Sequence, residues 1–332
     1  MVGDFIPEMK DLGEVNQFTP FITALKWAYK KLEDESNMIA EKDREKRTKT
    51  IQDIKSVVKG IEKAANHFGI QNRNIADVTR KYFVAMFEYL EKVNPRFTPG
   101  RCNKYRDYLI KLYKKLIAWE AVEIIPLRDI EKKRVIKRKR KTLTQKERVA
   151  IDNYLHKHHY SYWRFMHIFF ASGARITEIM RLKGKDIDIS NQRFYSLSLK
   201  GASPKEVMHT IKDNVVHLWK EALVNCRPDE YIFAYNLAPG DKFVNPDTIN
   251  KKWRKWVKRS TDPEIAKLKI EADFYSLKHT HTSQISRLSG EDIAAGHDGH
   301  TTTAMVRTIY NFDRDEQVHA AVKGLPNTLT GS

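Results

Sequence analysis

YSLSLKGASPKEVMHTI, residues Tyr195 to Ile211, is the stretch where the chain changes period. Tyr195, Leu197 and Leu199 alternate with Ser196, Ser198 and Lys200, the two-residue period of a strand. Gly201-Ala202-Ser203-Pro204 supplies turn residues, and Glu206 to Ile211 returns as a second strand. On either side the apolar residues recur at helical steps. A hairpin set among helices predicts a mainly α chain with a small antiparallel β-sheet, an α+β fold.

Working outward, Thr144 suits the N-cap of a helix running through Leu155. A second helix covers Trp163 to Ala171 and halts at Ser172-Gly173, and a third begins at Ala174 or Arg175 and reaches Leu182. After the hairpin the chain is mostly helical, interrupted at Pro228, Pro239, Pro246 and Pro263. Ile249 to Val257 reads as a helix with Trp253 and Trp256 inward and a basic outer face. In the first half, Thr48 to Phe68 puts Ile51, Ile54, Val57, Val58, Ile61 and Ala65 on one face until Gly69 stops the pattern. Helices over Val78 to Val93 and Cys102 to Trp119 follow, with no strand pattern.

The 332 residues exceed the ~250–300 at which a single core stops growing, so two domains are expected. Eight of the ten residues from Lys132 to Lys141 are Lys or Arg. Like charges at that density resist core packing, so the run predicts an extended interdomain linker that lies along phosphates. The resulting division is a helical domain over 1–129, a basic linker over 130–142 and a second domain over 143–332. The linker's phosphate contacts fall to Lys132, Lys133, Arg134, Lys137, Arg138, Lys139, Arg140 and Lys141.

Sixty Lys and Arg against 42 Asp and Glu leave a formal charge of +18. An excess of this size implies a polyanionic partner, with nucleic acid first. Two cysteines, Cys102 and Cys226, support neither a disulfide framework nor a cysteine zinc site. MVGDFIPEMKDLGE lacks the pattern of a signal peptide, and no apolar run approaches the ~20 residues of a membrane span. A cytoplasmic protein without membrane contact is expected.

Four features of the second domain carry chemistry. Arg175, in Ala171-Ser172-Gly173-Ala174-Arg175-Ile176-Thr177-Glu178-Ile179, stands at a helix start, where guanidinium and helix N-terminus both favour an anion. Read alone, it is equally a surface arginine paired with Glu178. Lys200 stands at the lip of the hairpin turn, with Lys205 as its competitor across the turn. Asp273-Phe274-Tyr275-Ser276-Leu277-Lys278-His279-Thr280-His281-Thr282 is the third feature. Gly296-His297-Asp298-Gly299-His300, followed by Tyr310, is the fourth.

In this order the four features resemble the tyrosine recombinases, the phage-integrase family of site-specific recombinases. The family's first box, a small-Gly-x-Arg-hydrophobic-x-Glu run, matches Ser172 to Glu178, and its hairpin lysine matches Lys200. Its His-x-x-Arg-His-Thr frame fits Tyr275 to Thr280, with Tyr275 and Lys278 in place of the histidine and arginine. Its Gly-His pair ahead of a nucleophilic tyrosine fits His300, ten residues before Tyr310, better than His297 at thirteen. The motifs span Thr142 to Phe312, and the helical first half looks like the family's core-binding domain.

The resemblance implies a nucleophilic Tyr310 and a 3′-phosphotyrosyl link, with Arg175 and Lys278 on the phosphate oxygens and Lys200 as general acid. His300 would hydrogen-bond the phosphate, and Tyr275 or His279 would assist. Lys in place of Arg keeps the charge but loses the planar fork. The resemblance further implies no cofactor and no metal. The implied partners are double-stranded DNA, a homotetramer on synapsed sites and accessory DNA-bending proteins. Two rival readings stand beside this one: a catalytically impaired DNA-binding protein of the same fold, and a metal enzyme on His279, His281, His297, Asp298 and His300.

Overall fold

The computed structural model describes residues 15–38, 41–136, 141–198, 205–299, 302–304, 306 and 323. Contacts divide the chain into two compact units, Met1–Lys137 and Arg138–Ser332.

The first unit holds α1 (Phe21–Asn37), α2 (Glu41–His67), α3 (Arg80–Val93) and α4 (Pro99–Ala118). In α2, Ile54, Val57, Val58, Ile61 and Ala65 are buried, the face that the sequence marks. Pro99 at the first turn and Thr98 as N-cap start α4, since proline's fixed φ suits a helix start and the Thr98 hydroxyl accepts the Arg101 N–H. Gly60 allows α2 and α4 to cross closely: a Cβ there would lie 2.4 Å from the Tyr105 hydroxyl. The sequence reading passes over α1, whose Phe21, Ile22, Ala24, Leu25, Trp27, Ala28 and Tyr29 all enter this core.

The chain after α4 returns along that helix. Arg106 donates to the carbonyls of Ile130 and Arg128, and the Asn103 side chain exchanges two bonds with the Lys133 backbone, each 2.8 Å. Lys132 pairs with Asp107 at 2.7 Å and Lys133 with Glu91 at 2.5 Å. The start of the basic run is therefore pinned, because carboxylates of α3 and α4 neutralise it. In the second unit Lys141 pairs with Glu271. Lys137, Arg138, Lys139 and Arg140 lie outside the described residues.

The second unit opens with α5 (Gln145–His158) and α6 (Tyr160–Ser172). Thr144 and Glu147 form a reciprocal capping box at the start of α5. Helix α6 is apolar nearly all round because it is the axle of the core: Tyr162, Phe165, Ile168 and Phe169 are buried, and Phe169 stacks on Phe274 at 4.9 Å. The helix after Gly173 is one turn only, α7 (Ile176–Ile179), and does not run to Leu182. The Leu182 carbonyl accepts from Ile232 and the Gly184 N–H donates to Glu230, so these groups bind another segment instead of continuing the helix.

The sheet has three antiparallel strands, β1 (Ile187–Asp188), β2 (Arg193–Ser198) and β3 (Lys205–Thr210), in the order β1-β2-β3. Tyr195 faces Met208 across the ladder, and Ser198 faces Lys205. The inward face is unusual in carrying Phe194, Ser196, Ser198 and His209, whereas Leu197 and Met208 face outward, 38% and 55% exposed. Helices α8 (Val216–Ala222), α9 (Asp247–Trp253), α10 (Pro263–Ala266), α11 (Ser276–Ser289) and α12 (Glu291–His297) follow among the described residues. A π-turn over Arg254–Lys258 follows α9. Trp253 is buried, with its indole N–H on the Ala272 carbonyl, and Trp256 packs half-buried beneath His159. Among the described residues, no helix is long and apolar enough to cross a membrane.

Candidate active site

The site grows from the end of α6. Gly173 has φ +67°, which stops the helix, and a Cβ there would lie 2.6 Å from the His297 ring. Two residues on, extended Arg175 caps α7. Its backbone N–H donates to Glu178 at 2.7 Å, and its Nη1 donates to Glu178 at 2.5 Å and to Ser198 of β2 at 3.2 Å. Burial pushes the Glu178 carboxyl up, but the charge and hydrogen bonds of Arg175 outweigh it and hold the group below the usual carboxylate range. Arg175 is thus fixed in one rotamer by an ionised, 4% exposed carboxylate. The inward serines of β2 are explained here: Ser198 meets Arg175, and Ser196 meets His209 Nε2 at 3.0 Å.

Helix α11 brings the third feature beneath this turn. Lys278 is 1% exposed; its ammonium contacts the Gly173 carbonyl and lies 3.2 Å from Asp298 at the end of α12. Burial lowers the Lys278 pKa from its ordinary value, and Asp298 opposes that shift. The Thr282 hydroxyl lies 2.5 Å from the same Asp298 oxygen and 2.9 Å from the Lys278 carbonyl, and its one proton serves one acceptor at a time. Tyr275 caps α11, edge-on to His279 at 5.4 Å. Tyr275 also lines a cavity of about 580 Å³ with Ile176, Lys251, Arg254, Lys258 and Asp273.

Two buried histidines, His281 and His209, and a half-buried one, His297, lie around Lys278. His281 Nε2 accepts from the Lys212 ammonium at 2.7 Å, and burial with the charge of Lys212 pushes its pKa down to about 2. Burial also lowers His297 and His209, each to about 4. All three rings are neutral at pH 7. His281, His297 and Asp298 bring ligand atoms within 4.8 Å of one another. Ammonium groups already stand on two of these residues, Lys212 on His281 and Lys278 on Asp298. A divalent cation would have to displace or discharge them, so the geometry favours a polar lock over a metal centre.

Arg175 and Lys278 are therefore brought together around Gly173, with Tyr275 one turn before Lys278. Lys200, His300 and Tyr310 lie outside the described residues. Sequence reasoning missed Lys212, His209 and Ser198 as members of the cluster, and placed Asp298 beside His281 and His297 only as a metal ligand. The signal for Asp298 was present in Gly296-His297-Asp298; that for Lys212 and His209 was not, because only the sheet's return brings them to α11.

The phage integrase family matches residues 141–317, more than half of the chain. The chain belongs to this family, the tyrosine recombinases. None of the curated proteins matches it. Among solved structures it is similar to a lambda integrase dimer bound to a COC′ core site, with 17% identity, a TM-score of 0.66, and 89% of this chain and 78% of that chain covered. A lambda integrase tetramer bound to a Holliday junction gives 15% identity and a TM-score of 0.64, covering 86% of this chain and 79% of that one. A Tn1549 transposon integrase in complex with circular intermediate DNA gives 13% and 0.61, covering 91% and 99%. At these identities the likeness establishes the shared fold, and family membership makes the chain a DNA recombinase of the tyrosine type.

Proposed function

We propose that this integrase cuts and rejoins double-stranded DNA at a specific site through a 3′-phosphotyrosyl link on Tyr310, in the integration or excision of a mobile element. The observation that carries the reading is Arg175, held by Glu178 and Ser198 at the turn where the family's first-box arginine belongs. A guanidinium fixed before substrate arrives stabilises developing phosphate charge without reorganisation.

In the reaction, the Tyr310 hydroxyl loses its proton and its oxygen attacks phosphorus. The bond to the 5′-oxygen breaks, and that oxygen takes a proton from Lys200. The 5′-hydroxyl of a partner strand reverses the step, so the energy of the broken bond is conserved and neither ATP nor metal enters. His300 hydrogen-bonds the phosphate, Lys278 contributes positive charge behind it, and Tyr275 stands at the edge of the site. The basic run from Lys132 to Lys141 follows the DNA backbone as an interdomain linker, and a homotetramer on two sites, aided by accessory DNA-bending proteins, performs exchange. A cytoplasmic enzyme acting on DNA fits this role.

A second reading is a DNA-binding protein with impaired chemistry, favoured by the pairing of Lys278 with Asp298, which spends the charge of the second-box cation inside the protein. One experiment separates the two. Wild type incubated in EDTA with a nicked attachment-site duplex is expected to give a denaturant-resistant covalent adduct, and Tyr310→Phe none. Binding without an adduct would select the second reading.

A further inference from the structure

The second-box cation of this chain is enclosed. The Lys278 ammonium touches the Gly173 carbonyl, on the turn that leads into Arg175, and lies 3.2 Å from an Asp298 carboxylate as buried as itself. Asp298 is in turn met by Thr282, one helical turn after Lys278. Three chain segments, the ends of α6 and α12 and the body of α11, therefore meet at one ammonium group. Two of its three donors face protein oxygens, and 1% exposure leaves it no solvent-facing surface from which to meet a phosphate.

We infer that Asp298 and Lys278 form a fixed brace beneath the site, in which Lys278 is a positioning residue for Arg175 and Asp298 is the residue that makes a lysine workable there. The brace ties the Gly173 turn to the turn after α12, so the arginine and the third-box segment keep one relative geometry. An arginine in this enclosure has a longer, planar head that the space between Gly173 and Asp298 does not hold. The inference rests on the recombinase reading for its activity measurements only.

The two roles for Lys278 demand opposite signs. If it grips phosphate, Asp298→Asn frees the ammonium and raises DNA affinity, and Lys278→Arg improves the grip. If it braces, Asp298→Asn strands a buried charge. Cleavage of saturating nicked DNA is then expected to fall at least about tenfold, with Kd for uncleavable DNA, measured on a Tyr310→Phe background, unchanged. Lys278→Arg is expected to slow cleavage likewise. The charge-free pair Lys278→Met with Asp298→Leu is expected to recover Tm and to cleave faster than Asp298→Asn alone.

Tighter DNA binding by Asp298→Asn, or cleavage by Lys278→Arg at or above the wild-type rate, would overturn the inference. Should Asp298→Asn fail to fold, the arginine and paired variants still decide. Should wild type form no adduct, the recombinase reading fails. The brace is then judged on Kd and Tm, where unchanged affinity with a Tm lost in Asp298→Asn and regained in the pair supports it, and tighter binding or an unmoved Tm refutes it.

Discussion

Arg175 owes its position to Glu178, and the two should fail differently when changed. On the proposed mechanism Arg175→Ala removes the phosphate arm, so cleavage should fall by roughly 10²–10³ while DNA is still bound, measured as adduct formation beside a binding isotherm. Glu178→Gln leaves the guanidinium in place but removes a buried counter-charge, so the expected loss is stability, about 3 kcal/mol in a denaturant titration. Gly173→Ala should be worse than a helix-end change elsewhere. It meets a positive φ and the His297 ring at 2.6 Å together, and a Tm unchanged within a degree would contradict the packing described. The residues of this scale were legible where a motif is local: Arg175 with Glu178 is a capping pattern within four residues. Asp298 was legible only as a metal-ligand candidate beside the histidines, not as the partner of Lys278. Lys212 was illegible, because nothing within its own segment marks the ring it meets 69 positions later.

At the scale of elements, helices α2 to α6 and the β2–β3 pair are legible from periodicity, since each has a clear apolar face or alternation. Helix α1 escapes the sequence reading because seven of its first nine residues are buried and show no clean stripe against a polar face. Helix α7 was read too long because its continuation is decided by the backbone of residues 230–232, far along the chain. The hairpin shows why alternation fixes a strand but not its inner face. Hydrophobicity would turn Leu197 inward, yet the serines and His209 face in because their partners are the site's cations and rings.

His209 on that inward face, with His281 on α11 and His297 on α12, makes the site pH-sensitive. His209 and His297 are lowered from 6.5 to about 4, and His281 to about 2. Below pH 6.5 the unfolded chain takes up protons that the folded rings refuse, so stability rises with pH in this window. The contribution is present above 6.5 and lost as pH falls through 4. Tm should drop steeply between pH 6.5 and 4, with a shallower drop for His209→Gln; a flat profile in both would contradict the buried, neutral rings.

For the whole molecule, charge is the property the sequence states most directly. The +18 predicted a nucleic-acid partner, and family membership agrees with it. The same count does not reveal which cations are spent internally. Lys132 and Lys133 already face Asp107 and Glu91, so their share in DNA contact requires those pairs to open. Neutralising Lys137 and Arg138 together should therefore flatten the salt dependence of DNA binding more than neutralising Lys132 and Lys133 together. Each lost phosphate contact reduces the slope of log K against log salt by about 0.9, and equal effects from the two sets would show that the ion pairs do not matter.

The central claim is that this chain breaks DNA by covalent attachment at Tyr310. Its most direct measurement is peptide mapping, by mass spectrometry, of the adduct formed on a nicked attachment-site duplex in EDTA. The account predicts a single 3′-phosphotyrosyl peptide containing Tyr310, absent in Tyr310→Phe and formed far more slowly in Arg175→Ala. An adduct on any other residue, or site-specific cleavage by Tyr310→Phe, would contradict it.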